Sequence, residues 1–376
     1  MSIFGKLMGN NSLTDNQIFS LISEFKINAD IASVKPFGSG HINDTYRIVN
    51  ADSGANDYLL QRVNHHVFKD VPLLMNNLVN VTRHLEQKLR SDKNVLTIIS
   101  TKNGDPYFKT PDGNYWRVFY FLKDTKSYDL VTTEKQAFEG GKAFGAFQAL
   151  LADLDTALVK DTIPDFHNIE YRLANLQKAI DADQVDRLKE VSAEVAFIQQ
   201  RSAAMSEILQ LGRSGILPLR IVHNDTKFNN VLLDQNDNAQ CVIDLDTVMP
   251  GYAAYDFGDS IRTIINIAAE DEADTNRIGL NLALFEAYTK GFLQEARSFL
   301  TGPEVGSLIK GVLLLPYIQA VRFLTDYLEG DHYFKIHSFH HNLQRARAQL
   351  ALVAKLEENQ GLLERIITET WEQLKA

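Results

Sequence analysis

A single cysteine, Cys241, is all the thiol in a chain of 376 residues. No intramolecular disulfide framework can therefore hold the fold, and a reducing compartment suits it. Cys241 precedes the apolar pair Val242-Ile243, the setting of a buried strand thiol rather than of a nucleophile. Long apolar runs are also missing. The longest, Gly311 to Val321, is too short to span a bilayer and is interrupted by Pro316 and Gln319, so it reads as a buried helix. Met1 to Met8 lacks the sustained apolar stretch of a signal peptide, and a cytoplasmic location without membrane association is expected. No basic stripe stands out, and the net charge of −10 argues against nucleic acid as a partner. The absence of a G-x-x-x-x-G-K-[ST] sequence excludes a P-loop enzyme, and no G-x-S-x-G element or Cys/His metal cluster competes. There is no fixed-period repeat and no low-complexity linker.

What is present is globular: 45% hydrophobic and 23% charged residues, enough for one large two-lobed domain or two ordinary ones. Periodicity predicts a short amphipathic helix over Asn16–Phe25, then strand, Gly-rich turn and strand from Val34 to Val49. A strand follows at Tyr58–Val63, a helix at Leu73–Leu89, and strands at Val95–Ile99 and Trp116–Phe121. Beyond Lys123 the chain turns helical, with helices expected at Glu134–Leu154, Tyr171–Ile180 and Ser192–Leu211. A strand-loop-strand from Arg220 to Asp246 interrupts them, and the last hundred residues are almost all helix. The acidic run Glu270-Asp271-Glu272 reads as a solvated helix end. The domain boundary is expected near Leu122–Asp124, giving units of residues 1–122 and 123–376.

The most informative stretch is Ile221-Val222-His223-Asn224-Asp225-Thr226-Lys227-Phe228-Asn229-Asn230, which sets His, Asp and Asn in the order H-x-D-x-x-x-x-N. Val242-Ile243-Asp244-Leu245-Asp246 adds a second acidic element. Such a set supplies an aspartate to face a nucleophilic hydroxyl, and an Asn and an Asp to hold a divalent cation. That is the equipment of phosphoryl transfer from ATP. Asp225 is the expected catalytic residue, orienting the acceptor hydroxyl and accepting its proton. Asn230 and Asp244 are the expected Mg²⁺ ligands, hard oxygen donors suited to an ion that keeps several waters and bridges phosphates. The four-residue gap after Asp225 favours Asn230 over Asn229. Asp246 is either a second metal contact, if extended backbone aims it the same way as Asp244, or a cap of the turn at Pro250-Gly251. His223 reads as a brace for the loop. Gly38-Ser39-Gly40-His41-Ile42-Asn43 is the phosphate-cradle candidate, since glycines let backbone N–H groups approach an anion.

The order of Gly-rich hairpin, His223-x-Asp225-x-x-x-x-Asn230 and Ile243-Asp244 resembles the aminoglycoside phosphotransferase and choline kinase group of kinase-like enzymes. Within that group, the wording from His223 to Asn230, Ile243 to Gly251, and Tyr255-Asp256-Phe257-Gly258-Asp259 with Ile261-Arg262 is similar to the N-acetylhexosamine 1-kinases. The resemblance implies an α/β (α+β), two-lobed protein kinase-like fold, with a small antiparallel sheet in the N-lobe and a mainly helical C-lobe. It implies transfer of the ATP γ-phosphoryl group to the anomeric hydroxyl of N-acetylglucosamine or N-acetylgalactosamine, with Asp225 catalytic, Asn230 and Asp244 on Mg²⁺, and Asp256 bracing the loop. One departure stands out: Gln61 occupies the place where a Lys or Arg usually reaches the nucleotide phosphates. Arg62 points to the opposite face unless a bulge re-aims it, and Glu86 is the candidate partner of whichever cation serves.

On the acceptor side, Arg322 lies in an otherwise apolar helix, where a guanidinium must be paired or face a polar cleft. An ion pair with Asp326, one turn away, and a substrate role are both open. Tyr333 is suited to stacking on a sugar ring, and His41 to either substrate. Two further readings remain: a different hydroxyl acceptor (an aminoglycoside, homoserine or a choline-like alcohol), and a non-catalytic nucleotide-binding module.

Overall fold

A computed structural model of the protein describes residues 15–38, 42–89 and 95–375. The chain divides into two compact units, one comprising Met1–Thr125 with Ala157–Ile163, the other Lys126–Thr156 with Pro164–Ala376.

In the first unit, helix α1 (Asp15–Ile22) is followed by strands β1 (Ile31–Pro36), β2 (Asp44–Asn50) and β3 (Asp57–Val63), helix α2 (Val71–Lys88), and strands β4 (Ile98–Ile99), β5 (Phe108–Lys109) and β6 (Tyr115–Phe121). The strands form one antiparallel sheet in the order β1-β2-β3-β6-β4, with β5 also paired to β6. Alternation sends successive side chains to opposite faces. Ile48, Tyr58, Leu60, Trp116 and Val118 pack with Ile18, Leu21, Ile22 and Phe25 of the α1 region. The other face carries Gln61 and the buried Arg117, whose guanidinium reaches Met75 of α2. The strand expected over Val95–Ile99 pairs only at Ile98 and Ile99. The return of Ala157–Ile163 to this unit has no counterpart in the hydropathy pattern. It is fixed by Asn77, whose side chain donates to Lys160 O at 2.6 Å and accepts from Lys160 N at 3.0 Å.

The second unit contains α3 (Glu134–Leu151), α4 (Ile169–Ala182), α5 (Ser192–Met205), α6 (Glu207–Arg213), α7 (Ala253–Ile264), α8 (Leu282–Ala296), α9 (Gly302–Glu329), α10 (His341–Glu358) and α11 (Gln360–Lys375). The single helix expected over Ser192–Leu211 breaks at Ser206, whose hydroxyl donates to Ser202 O at 2.9 Å while its N–H closes onto Ala203 O. Strands β7 (Arg220–Val222) and β10 (Met249–Gly251) pair antiparallel, as do β8 (Val231–Leu233) and β9 (Ala239–Val242). Pro250-Gly251 thus lies in a strand, not in the turn expected from its composition.

Helix α9 is long and apolar enough to cross a bilayer by length and composition, yet most of it is buried within this unit, against α4, α7 and α10. It begins with a reciprocal capping box between Thr301 and Glu304 and ends at Gly330, φ +100°. Where α7 crosses it, Gly258 faces Gly311: a Cβ on Gly258 would stand 2.2 Å from Gly311 O, and one on Gly311 2.0 Å from Ala254 O. Only glycine permits this approach, and it fixes the height of α7, which carries Asp256 and Asp259. The acidic run after α7 is not a solvated helix end. It lies in a loop where Glu270 bonds the buried Arg262, Asp271 bonds the ring of His341 and Glu272 pairs with Arg277, so each of its three carboxylates has a partner.

Candidate active site

The loop from β7 to β8 is held from behind by one carboxylate. Asp256, fully buried on α7, accepts from His223 N at 2.8 Å, Asn224 N at 2.7 Å and Gln148 Nε2 at 2.7 Å. Its backbone carbonyl accepts from Thr226 Oγ1 at 2.6 Å. Burial pushes the Asp256 carboxyl up, against the hydrogen bonds that Gln148 and the two loop amides make to its charged form. Those donors let Asn224 sit at φ +64°, a left-handed turn that Asn tolerates better than most residues. The turn brings Asp225 out of the buried strand to a partly exposed position.

His223 is buried and joins the two acidic segments. Its Nε2 donates to Ile243 O at 2.9 Å, and its Nδ1 accepts from Asp225 N at 3.3 Å, a neutral tautomer that uses both nitrogens. Phe144 and Phe147 pack edge-on against the ring, with centroids 5.6 and 5.7 Å away. The imidazole is therefore spent on structure.

Asn230 turns back toward Asp225. Its Nδ2 donates to Asp225 O at 2.8 Å and to Asp225 Oδ2 at 3.3 Å, while Asn229 points away to Asp129. With the amide nitrogen so engaged, the carbonyl oxygen is the side-chain atom that Asn230 has left for a cation. Asp244 sits at φ +59° at the head of a short 3₁₀ turn, Leu245–Thr247. That turn breaks the extended geometry that would have aimed Asp244 and Asp246 alike: Asp244 is exposed and Asp246 is buried. The surrounding protein and then the charges of Asp246 and Asp225 push the Asp244 carboxyl up to about 6. Because the side chain itself meets solvent, repulsion among the three carboxylates is the cause its position supports best. Among the described residues no three His, Cys, Asp or Glu side chains form a ready-made metal cage. A carbonyl oxygen and one open, charge-crowded carboxylate fit Mg²⁺, which needs few protein ligands and completes its shell with water and phosphate oxygens.

Lys227 lies inside the motif, but residue spacing gave it no role. Its Nζ is 3.2 Å from Asp225 Oδ2, and the charge of Asp225, with Asp244 and Asp259 behind it, raises its pKa against the cost of burial. A cation is thus fixed beside the carboxylate that would meet the acceptor.

On the first unit's sheet, Gly38 has φ +80° with open space where a Cβ would be, as a tight turn requires. Ser39, Gly40 and His41 lie outside the described residues. Asn43 accepts from Asn64 N at 3.0 Å, tying the start of β2 to the end of β3. Gln61 is paired across the ladder with Arg117, whose Nε and Nη2 donate to Gln61 Oε1 at 3.1 and 2.9 Å; Gln61 Nε2 in turn donates to Thr45 Oγ1. The cation on this face therefore comes from β6. Arg62 points to the other face and pairs with Asp44, without a bulge to re-aim it. Glu86 does not partner either group. It is exposed, one residue past the buried Leu85, and so rotated off the stripe of α2 that meets the sheet.

In the second unit, Arg322 does not pair with Asp326. Asp326 instead accepts from the backbone N–H groups of His332, Tyr333 and Phe334 and from Asn342 Nδ2, fastening the loop after α9. Arg322 donates to Gln319 Oε1 at 3.0 Å, and its Cζ lies 5.6, 5.8 and 5.4 Å from the rings of Phe166, Tyr333 and Phe334. Tyr333 is 64% exposed. Phe166 abuts His167 (centroids 4.6 Å apart), and His167 Nε2 donates to Asn224 O at 2.9 Å. A chain of contacts therefore runs from Arg322 to the residue before Asp225. His167 is buried, and burial pushes its imidazole down to about 4, which keeps it neutral. No spacing in the sequence connects Phe166-His167 to the loop between β7 and β8.

A small antiparallel sheet with helices, a mainly helical second unit, and an Asp-Lys-Asn-Asp set on the loops of the latter define a small-molecule phosphotransferase of kinase-like fold. The chain belongs to the APH phosphotransferase enzyme family, whose model matches residues 33–295. It is similar in fold to a microcompartment-associated aminopropanol kinase (15% identity, 93% of this chain and 99% of that one, TM-score 0.62). The same holds for a choline kinase from Cryptosporidium parvum (15%, 96% and 100%, TM-score 0.60). An amicoumacin kinase in complex with AMP-PNP, Ca²⁺ and Ami is a further match (13%, 96% and 94%, TM-score 0.57).

Proposed function

We propose that the protein transfers the γ-phosphoryl group of ATP to the anomeric hydroxyl of an N-acetylhexosamine, N-acetylglucosamine or N-acetylgalactosamine. The observation that carries the transfer chemistry is the position of Asp225: partly exposed, next to Lys227 Nζ and Asn230 Nδ2, on a backbone pinned by Asp256. Its carboxylate orients the acceptor hydroxyl and takes its proton as the oxygen–phosphorus bond forms. Lys227 offsets the charge of Asp225 without removing its basic oxygen. Asn230 Oδ1 and the Asp244 carboxylate would hold Mg²⁺, which when bound neutralises the charge of the nucleotide phosphates. Because the loop amides and His223 are already satisfied, these groups need little reorganisation during the reaction. Gly38 to Asn43, and the buried Arg117–Gln61 pair, are the nucleotide-side groups in this reading.

The sugar class is supported by the motif resemblance and by charge. Arg322 has no carboxylate partner among the described residues, and an unneutralised guanidinium repels ammonium acceptors. The names of the aminopropanol and choline kinases favour a second reading, an amino-alcohol acceptor. Arg322 weighs against it. The test is ATP consumption with Mg²⁺ against N-acetylglucosamine, N-acetylgalactosamine, glucose, galactose, kanamycin, choline and homoserine, with the phosphate position read by phosphorus NMR. An anomeric phosphate on an N-acetylhexosamine is expected. Faster turnover of choline or kanamycin would replace the acceptor and keep the mechanism.

A further inference from the structure

Most of the buried and half-buried arginines of this protein meet a carboxylate: Arg47 with Asp57, Arg187 with Asp331, Arg201 with Glu357, Arg220 with Glu304, and Arg262 with Asp259 and Glu270. Arg172, Arg322 and Arg345 show no such ion pair among the described residues. Arg172, half-buried on α4, donates Nε and Nη2 to the Phe166 carbonyl at 3.3 and 2.9 Å. Arg322 lies over the ring of the same Phe166, and its Cζ is 5.8 Å from the ring of Tyr333. Two guanidiniums thus converge on one residue, next to the His167 that bonds the catalytic loop. Arg172 Nη1 and Arg322 Nε and Nη2 have no protein acceptor among the described residues.

Half-burying two cations around one residue costs free energy, which at Arg172 the nearby Asp165 carboxylate offsets only in part. Burial and then the charge of Arg322 pull the Arg172 guanidinium down to about 10. Such an arrangement persists where a ligand supplies the missing acceptor atoms. The forked, planar donors of arginine suit an oxygen bearing two lone pairs, such as an amide carbonyl.

We propose that Arg172 is a specificity-determining residue of the acceptor site, where it and Arg322 hold the amide carbonyl oxygen of an N-acetylated sugar. This rests on the acceptor reading given above. An N-acetyl group presents the required oxygen; glucose presents a hydroxyl, a poorer acceptor; glucosamine presents an ammonium that both arginines repel.

The experiment is kcat and KM for N-acetylglucosamine, glucose and glucosamine with ATP and Mg²⁺, on the full chain and on Arg172→Gln and Arg172→Lys. The wild type should prefer N-acetylglucosamine to glucose and reject glucosamine. Arg172→Gln should shrink the N-acetylglucosamine-to-glucose ratio of kcat/KM about tenfold, the size of one lost charged hydrogen bond, through KM more than kcat. Arg172→Lys, which keeps the charge but not the fork, should restore part of that ratio. The lysine variant also carries the test if the glutamine variant fails to fold. A ratio unchanged in both variants, or an equal loss for both sugars, would overturn the proposal and leave Arg172 as a prop for Phe166. If the wild type turns over neither N-acetylglucosamine nor glucose, the acceptor reading itself falls and takes the proposal with it.

Discussion

The carboxylate of Asp256 accepts the backbone N–H of Asn224 at 2.7 Å, and through that bond a fully buried charge on α7 sets where Asp225 stands. Both oxygens are in use, Oδ1 by Asn224 and Oδ2 by His223 and Gln148. Asp256→Asn keeps the volume but turns an amide NH₂ toward N–H donors whichever way it is placed. The expected cost is about 1–3 kcal/mol of stability, with kcat reduced more than nucleotide affinity. Thermal melting and nucleotide titration on the same variant check this; a wild-type kcat would mean that the loop holds its shape without Asp256.

Asp225→Ala should abolish turnover, a loss of about 10²–10⁴-fold for the proton acceptor alone, while ATP binding measured by calorimetry stays close to wild type. The backbone of the loop is secured by Asp256 and His223 rather than by the Asp225 side chain, so the change is local. Substantial residual activity would reassign the proton acceptor.

The motif from His223 to Asn230 was legible because its chemistry fixes its spacing, and the four-residue gap selected Asn230, the asparagine that turns to Asp225. Alternation along β3 correctly sent Arg62 away from Gln61. What the sequence hid came from tertiary proximity. Arg117 is paired with Gln61 only because β6 lies beside β3, and Arg172 meets Arg322 only through Phe166. Asp326 was a plausible helical partner for Arg322 at one turn, but the bare amides of the loop after α9 outcompeted it. The extended backbone assumed after Asp244 failed because a left-handed residue starts a 3₁₀ turn there.

Gln61 is where a lysine would be expected, and Arg117 supplies the reason it is absent. Gln61→Lys would set an ammonium against the buried guanidinium that now donates twice to Gln61 Oε1. The variant should lose the acceptor, gain a like charge beside Arg117 and be destabilised by about 1–3 kcal/mol, with weaker rather than stronger ATP binding. Denaturant unfolding and nucleotide titration decide it. An unchanged fold with tighter ATP binding would show that Arg117 does not occupy the place of the expected lysine.

Asp244→Asn should raise the Mg²⁺ concentration needed for half-maximal activity by about tenfold or more, since it removes the open charged ligand and leaves the neutral Asn230. Asn230→Ala should lower Mg²⁺ affinity less and additionally loosen Asp225, whose carboxylate it contacts. Titrating Mg²⁺ into each variant with the ATP concentration held fixed separates the two. Equal Mg²⁺ curves for wild type and Asp244→Asn would remove Asp244 from the metal site.

His167 gives the protein a specific acid sensitivity. Burial pushes its imidazole down to about 4, below the ordinary value of about 6.5 that it regains on unfolding. Between those values the unfolded chain holds a proton that the native chain does not, so stability rises with pH across this interval. The contribution is therefore complete above about 6.5 and lost as pH falls toward 4. Its loss should be local first, because the neutral ring donates to Asn224 O, in the loop before Asp225. His167→Gln retains an amide N–H able to donate to Asn224 O and cannot titrate. Compared with wild type, it should lose less stability between pH 7 and 4.5, whatever its stability at pH 7. Parallel urea unfolding at the two pH values gives the difference directly; equal acid-induced losses in the two proteins would assign the sensitivity to other groups.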